Sequence, residues 1–141
     1  MRDAGSERST AEEKEAILAI VQRLLDTIAN RDKAGLIEIL VPEGCATLSR
    51  DHQVSHTQLR DFPEKMPEGT SRMEERFYNV LVRIDDDIAV VVAQYDFLFD
   101  GEVHHWGTSI LSFLKQDERW RICAIADTGR SGPRPRNWGA M

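Results

Sequence analysis

Residues 86–130 constrain the fold more than any other stretch of this chain. They hold three strand-length runs, Ile88 to Phe99, Val103 to Leu114 and Trp120 to Asp127, joined by Asp100-Gly101-Glu102 and Gln116-Asp117-Glu118. Asp-Gly between β-rich runs is a strong hairpin signal, because glycine accepts the positive φ that such turns demand. Each run is long, and only one face of each is apolar enough to be core. The expectation is a strongly curved antiparallel sheet wrapped around a space, with polar residues such as His105 and Asp127 lying inside its strands.

Composition narrows what that space serves. At 141 residues the chain is long enough for one domain with a single sizeable core. Its net charge of −6 argues against nucleic acid, since phosphate binding needs a basic stripe. No run approaches the roughly 20 apolar residues of a membrane span, and the polar N-terminus has no signal-peptide core. Cys45 and Cys123 sit far apart in apolar surroundings, as reduced small hydrophobes do. A cytoplasmic, single-domain protein is expected, with no membrane or nucleic-acid partner.

Along the chain, residues 1–10 are polar and aperiodic and are expected to be disordered. Ser9 or Thr10 can cap a helix whose Ile17, Leu18, Val21, Leu24, Leu25 and Ile28 form one apolar stripe, ending near Asn30. Asp32 caps a shorter helix, which Pro42 and Gly44 bring to an end. Cys45 to Ser49 reads as a short strand. Residues 50–70 read as irregular, with a helical turn around Gln58 to Phe62. Met73 to Ile84 is a strand. The domain spans 11–130, and residues 131–141 form an irregular tail. A long amphipathic helix laid across a curved antiparallel sheet is an α+β roll with a conical cavity.

Tyr95 and Phe97, Asp100 and Gly101, His105 and Gly107, Trp120 and Ile122, then Ala126, Asp127 and Thr128 form a series through the last strands. In this series and in its layout over residues 12–130 the chain resembles the nuclear transport factor 2-like superfamily. That superfamily has the cystatin-like α+β cone, and the resemblance is to its SnoaL-like, polyketide cyclase and ketosteroid isomerase-like group. The superfamily hosts isomerases, dehydratases, cyclases and pure binding proteins, so the likeness speaks for fold more than for reaction.

Side chains two apart in a strand share a face. His105, Gly107, Ser109, Leu111 and Phe113 share one face, as do Tyr95 and Phe97, and as do Cys123, Ile125 and Asp127. Pattern alone leaves open which face is concave; the resemblance implies that the His105, Ser109 and Asp127 face lines the pocket. Trp106, Ile110, Trp120 and Ile122 would then form an outer apolar patch, large enough to expect a homodimer.

The sharpest expectation is that His105 and Asp127 act as a catalytic pair. An imidazole titrating near neutrality can carry a proton, and a carboxylate beside it fixes its tautomer. The bland alternative is that Asp127 only caps a turn and His105 is structural. Tyr95, Phe97, Ser109, Phe113 and Arg50 would contact the substrate, with Tyr95 able to donate to a carbonyl oxygen. Arg72 is a second candidate for an anionic group. His52 and His56 have helix-face metal spacing but no third ligand follows, and no metal is expected. His104 and His105 should point to opposite faces. Cys123 has no neighbouring charge to activate it. Family members place a catalytic acid or tyrosine at the end of the first helix, where this chain offers Asp26 and Asn30.

The expected function is a cofactor-independent isomerase, cyclase or dehydratase acting on a hydrophobic oxygenated metabolite, in secondary-metabolite biosynthesis. A non-catalytic binding protein or a dimerising interaction module of the same fold is the alternative. The sequence does not name the substrate.

Overall fold

The computed structural model describes residues 4–140. In chain order it has α1 (Ala4–Ala29), α2 (Lys33–Glu38), β1 (Leu40–Arg50), β2 (Gln53–Gln58), a 3-10 turn (Leu59–Lys65), β3 (Met73–Asp85), β4 (Ile88–Phe99), β5 (Glu102–Gln116) and β6 (Arg119–Ser131). The strands make one sheet in the order β2-β1-β6-β5-β4-β3, antiparallel except where β1 runs parallel to β6. This is the expected α+β roll, with helices packed on a curved sheet.

Local chemistry explains the elements. At the β4–β5 turn Asp100 and Gly101 have φ of 50° and 83°, the two positive values a tight hairpin needs. The β5–β6 turn achieves the same with Asp117 and Glu118, without glycine. A third such hairpin, at Asp51 and His52 (φ 48° and 69°), joins β1 to β2. It lies in the stretch expected to be irregular, and no glycine marks it. His52 and His56 therefore sit on a hairpin and not on a helix, and His56 bonds Thr47 Oγ1.

α1 begins at Ala4, ahead of the expected caps Ser9 and Thr10, which lie inside it. Of the segment expected to be disordered, residues 1–3 lie outside the described residues. The rest is helical and continues α1 toward the N-terminus. Ile17, Val21, Leu24 and Ile28 are buried, while Leu18 faces solvent. Each such side chain contributes roughly 1.5–3 kcal/mol by leaving water. Asp32 Oδ1 accepts from the Gly35 amide at 2.9 Å, capping α2 as expected.

Two β-bulges decide what faces inward. Between the pairs Phe97–His105 and Leu98–Val103, β5 carries one extra residue, His104. Between Ser112–Ala124 and Phe113–Ile122, β6 carries one extra residue, Cys123. A bulge shifts the alternation by one, so the second puts Trp120 and Ile122 on the same face as Ile125 and Asp127. Trp120 and Ile122 are core residues, 5% and 0% exposed, so the outer apolar patch expected to drive dimerisation loses both. Trp106, on the outer face, is covered by Trp138 of the tail (ring centroids 4.8 Å apart) and by Arg130. Residues 132–140 thus continue without strand or helix across the outside of the sheet.

Candidate functional site

The roll encloses a cavity of about 310 Å³, in the size range of small-molecule pockets. Leu24 and Ile28 of α1 and Leu36 of α2 close one side. Phe62, Lys65, Met66 and Pro67, in and after the 3-10 turn, form its rim. That rim is tied to the end of α1 by Arg31, which donates to Pro67 O and Ser71 O. The sheet supplies the remaining wall, mostly apolar, with Arg50, Glu75, Ser109, Asp127, His104 and His105 as its polar members.

One sheet row builds the polar end. Arg50, Gly129, Gly107 and Tyr95 are successive cross-strand neighbours on β1, β6, β5 and β4. The two central glycines present no side chain, so Arg50 from one side and Tyr95 from the other lie over them and meet. Arg50 Nη1 donates to Tyr95 Oη at 3.0 Å. A Cβ on Gly129 would stand 2.7 Å from Arg50 Nη1 and 2.8 Å from Tyr95 Oη, so the close approach needs glycine. Arg50 also donates to both oxygens of Asp127, at 2.5 and 3.5 Å.

Glu75 completes the cluster. It lies opposite Phe97, between Met73 and Phe77 on the inner face of β3. Its carboxyl makes no hydrogen bond among the described residues. Burial, with the charge of Asp127 adding and Arg50 opposing, pushes it up to about 8. Burial also raises Asp127, but Arg50 pulls the other way. Burial opposes the charge on Arg50, yet Asp127 and Tyr95 hold it above its ordinary value. Tyr95 is pushed upward, first by burial and then by Asp127. Two carboxyls in one cavity therefore have unlike environments, the usual mark of an acid and base assignment.

The expected His105–Asp127 pair does not form. Asp127 sits opposite Ser109 and His105 opposite Ser131, four residues apart along β5, and the Asp127 carboxylate is held by Arg50. His105 Nδ1 instead lies 3.0 Å from Nδ1 of His104. The bulge at His104 turns both rings to the cavity, correcting the expectation that they point to opposite faces. Burial, with Arg50 and His104 adding, lowers His105 to about 3, so its ring is neutral.

The other expected residues divide cleanly. Arg50, Phe97 and Ser109 line the cavity. Tyr95 lies just beneath it, 1% exposed, with its hydroxyl on Arg50. Phe113 does not reach it: it is 0% exposed, in the core cluster with Ile17 and Ile122, beyond the space the cavity occupies. Asp26 and Asn30 are exposed and take no part in the lining. Arg72 is exposed too, its backbone amide bonding Asp100. Cys123 is the β6 bulge residue, its thiol raised by burial and far from a reactive state. Glu75 was missed, although a charged residue between Met73 and Phe77 on one strand face was a signal.

Among the described residues no helix is long and apolar enough to cross a membrane, and no group of His, Cys, Asp and Glu could hold a metal ion. Residues 12–126 match the model of a family described as "Putative lumazine-binding". Among curated protein sequences none matches the chain. Solved structures share the fold at low identity. A nuclear transport factor 2-like protein with a cystatin-like fold from Novosphingobium aromaticivorans is 14% identical, with a TM-score of 0.71, covering 91% of this chain and 90% of that one. A protein from Streptomyces avermitilis, described as a "putative dehydratase" of the same family, is 14% identical with a TM-score of 0.70, covering 89% and 99%. A Mycobacterium tuberculosis protein of unknown function is 18% identical with a TM-score of 0.67, covering 99% and 82%.

Proposed function

Since the chain belongs to this lumazine-binding-like family of the nuclear transport factor 2-like superfamily, we propose that its cone performs cofactor-independent acid–base chemistry on a small, mostly apolar, oxygenated molecule. The observation that carries the reading is Glu75, a carboxyl held near 8 with no bonding partner among the described residues, beside the Asp127–Arg50 ion pair.

Glu75 sits at the pH where it can both take and give a proton. Ionised, it removes a proton from a carbon next to a carbonyl. The electron pair moves to the carbonyl oxygen, where the Arg50 guanidinium meets the developing charge. The proton then returns to another carbon, which is isomerisation, or to a departing hydroxyl, which is dehydration. Asp127 holds Arg50 in place and, by its charge, keeps Glu75 basic. Phe97, Ser109 and the aliphatic walls seat the substrate. His105 takes no proton in this scheme.

Exchange of ketone α-protons in deuterated water tests the reading without knowledge of the natural substrate. With 2-tetralone as probe, exchange catalysed by the native protein should fall by roughly 10² or more in Glu75→Gln, the scale of a lost general base. Its rate should rise with pH toward about 8, where Glu75 ionises. Undiminished exchange in the variant would overturn the assignment. A second reading, a binding protein without turnover, is favoured by the family description itself. It predicts saturable binding of lumazine and no exchange above background.

A further inference from the structure

His105 is a polar residue of the cavity that the acid–base scheme leaves unused, and its surroundings describe a ligand. The residue is 8% exposed, and its side chain forms part of the cavity wall. It stacks on Phe97 with centroids 5.0 Å apart and an interplanar angle of 12°. Phe97 touches Phe99 at 5.3 Å, Phe99 touches His104 at 5.1 Å, and His104 returns to His105 at 5.3 Å. These rings close a circuit of aromatic contacts on the sheet side of the cavity. Facing it are Phe62, Met66 and Leu36. An aromatic wall opposed by apolar side chains favours a flat occupant, which stacks or meets ring edges at 4.5–7 Å.

Polarity adds a second condition. His105 Nδ1 is engaged by His104, but Nε2 is buried with no hydrogen-bond partner among the described residues. Buried polar atoms are nearly always paired, and an orphan costs the free energy of its lost hydration. The Nδ1–Nδ1 contact can run in either direction. If His104 donates, His105 offers Nε2–H; if His105 donates, Nε2 offers a lone pair. The bulge that brings His104 to the inner face thus makes Nε2 an adaptable contact for a carbonyl or for an N–H or O–H group.

We propose that the cone recognises a planar, uncharged aromatic or conjugated ring, one edge of which hydrogen-bonds to His105 Nε2 while its face lies against the Phe97, Phe99 and His104 rings. The inference rests on the reading that the cone takes a small molecule, but not on any reaction there. His105 is then a specificity-determining residue.

Two probes of equal shape separate the contributions: naphthalene, which tests the flat wall, and 2-naphthol, which adds one hydrogen-bonding group. Native protein should bind both, with 2-naphthol the tighter. His105→Phe keeps a ring in the wall and should weaken 2-naphthol about tenfold while leaving naphthalene within twofold. His104→Ala removes one ring of the wall together with the Nδ1 contact, and should weaken both probes, 2-naphthol the more. His105→Gln, whose amide reaches toward the Nε2 position, should recover part of the loss. Unchanged 2-naphthol binding in both His105→Phe and His104→Ala would overturn the Nε2 contact. Equal loss of both probes would reduce His105 to a packing residue, and failure of native protein to bind either would overturn the planar class. Glu75→Gln separates this from the catalytic reading: it should abolish proton exchange and leave the ratio between the probes unchanged.

Discussion

Strands β3 and β4 carry two clusters of the same ingredients, back to back and one residue out of step. Inward, Glu75 and Tyr95 join Arg50 and Asp127; outward, Arg76 and Asp96 join Tyr78 and Arg134. The outer cluster sets one carboxylate between two guanidiniums. Asp96, 0% exposed, takes two bonds of 2.8 Å from Arg76, one of 3.1 Å from the Tyr78 hydroxyl, and another from Arg134. The inner cluster sets one guanidinium among two carboxyls, and among the described residues Glu75 is left without a bond. Bonding to Asp96 raises Arg76 far above its ordinary value, whereas burial raises Glu75 toward neutrality. Balance, not composition, separates a cluster whose carboxylate is fully paired from one that leaves a carboxyl over, and the proposed proton transfer rests on that difference.

Breaking the outer cluster should give the largest effect. Asp96→Ala leaves Arg76 and Arg134 facing each other beside Tyr78, and should cost about 3 kcal/mol in urea unfolding, the scale for removing one partner of a buried ion pair. Affinity for 2-naphthol should stay within twofold. A cost under about 1 kcal/mol would show that this cluster does not fasten the fold.

The inner pair should cost less and do something the outer one cannot. Arg50 is partly solvated, its side chain 38% exposed, so Asp127→Asn should destabilise by only about 1–2 kcal/mol. It also removes the charge that raises Glu75 and frees the guanidinium that lowers it. Burial still raises Glu75 in the variant, but it should titrate lower than in the native protein, as read by carbon-13 NMR of labelled glutamate. An unmoved titration would mean that burial alone sets its value.

How far these clusters could be read from sequence depends on range. The hairpin at Asp100-Gly101, the α2 cap at Asp32 and the helix stripe rest on neighbours within a few residues; the first two are found as expected, and the stripe holds for Ile17, Val21, Leu24 and Ile28 but not for Leu18. Alternation put His105 and Ser109 on one face of β5, but it took the family resemblance to make that face the concave one, which is the face the cavity occupies. Arg50 was visible as a candidate, but its partner Asp127 is 77 residues away and reaches it only through the parallel β1–β6 pairing. Gly107 and Gly129 reveal their purpose only once strand register sets them side by side. The two bulges left no local signal, and they account for the misplacement of His104, Trp120 and Ile122. The Asp127–His105 pair failed for a different reason: sharing a face does not fix position along it.

Glu75 offers a pH-resolved test of the inner imbalance. Its folded value, about 8, lies above the ordinary 4.5. Its contribution to stability is fully present below about 4.5 and is lost as pH rises toward 8, because the unfolded chain gives up its proton first. Glu75→Gln removes that dependence. The variant should match the native protein near pH 4.5 and exceed it by about 1–2 kcal/mol at pH 8, a fraction of the 1.36 kcal/mol per unit ceiling because the carboxyl borders the open cavity. A constant difference across that range would remove Glu75 as the poised group.

The smallest effect should come from the tail's share of the outer cluster. Arg134→Gln takes one guanidinium from Asp96, but Arg76 keeps its two bonds and Tyr78 its one, so the carboxylate stays paired. Trp138 remains anchored independently, its Nε1 donating to the Tyr95 carbonyl at 3.0 Å and its ring against Trp106. The loss should be about 1 kcal/mol, near the value of one hydrogen bond to a charged group at a half-exposed site. Because Trp138 grips the strand residue whose side chain supports Arg50, proton exchange with 2-tetralone should be unchanged in this variant. A loss above about 3 kcal/mol, or a fall in exchange, would mean that the tail and not the Arg76 pair fastens the outer face, and that the two clusters are coupled through β4.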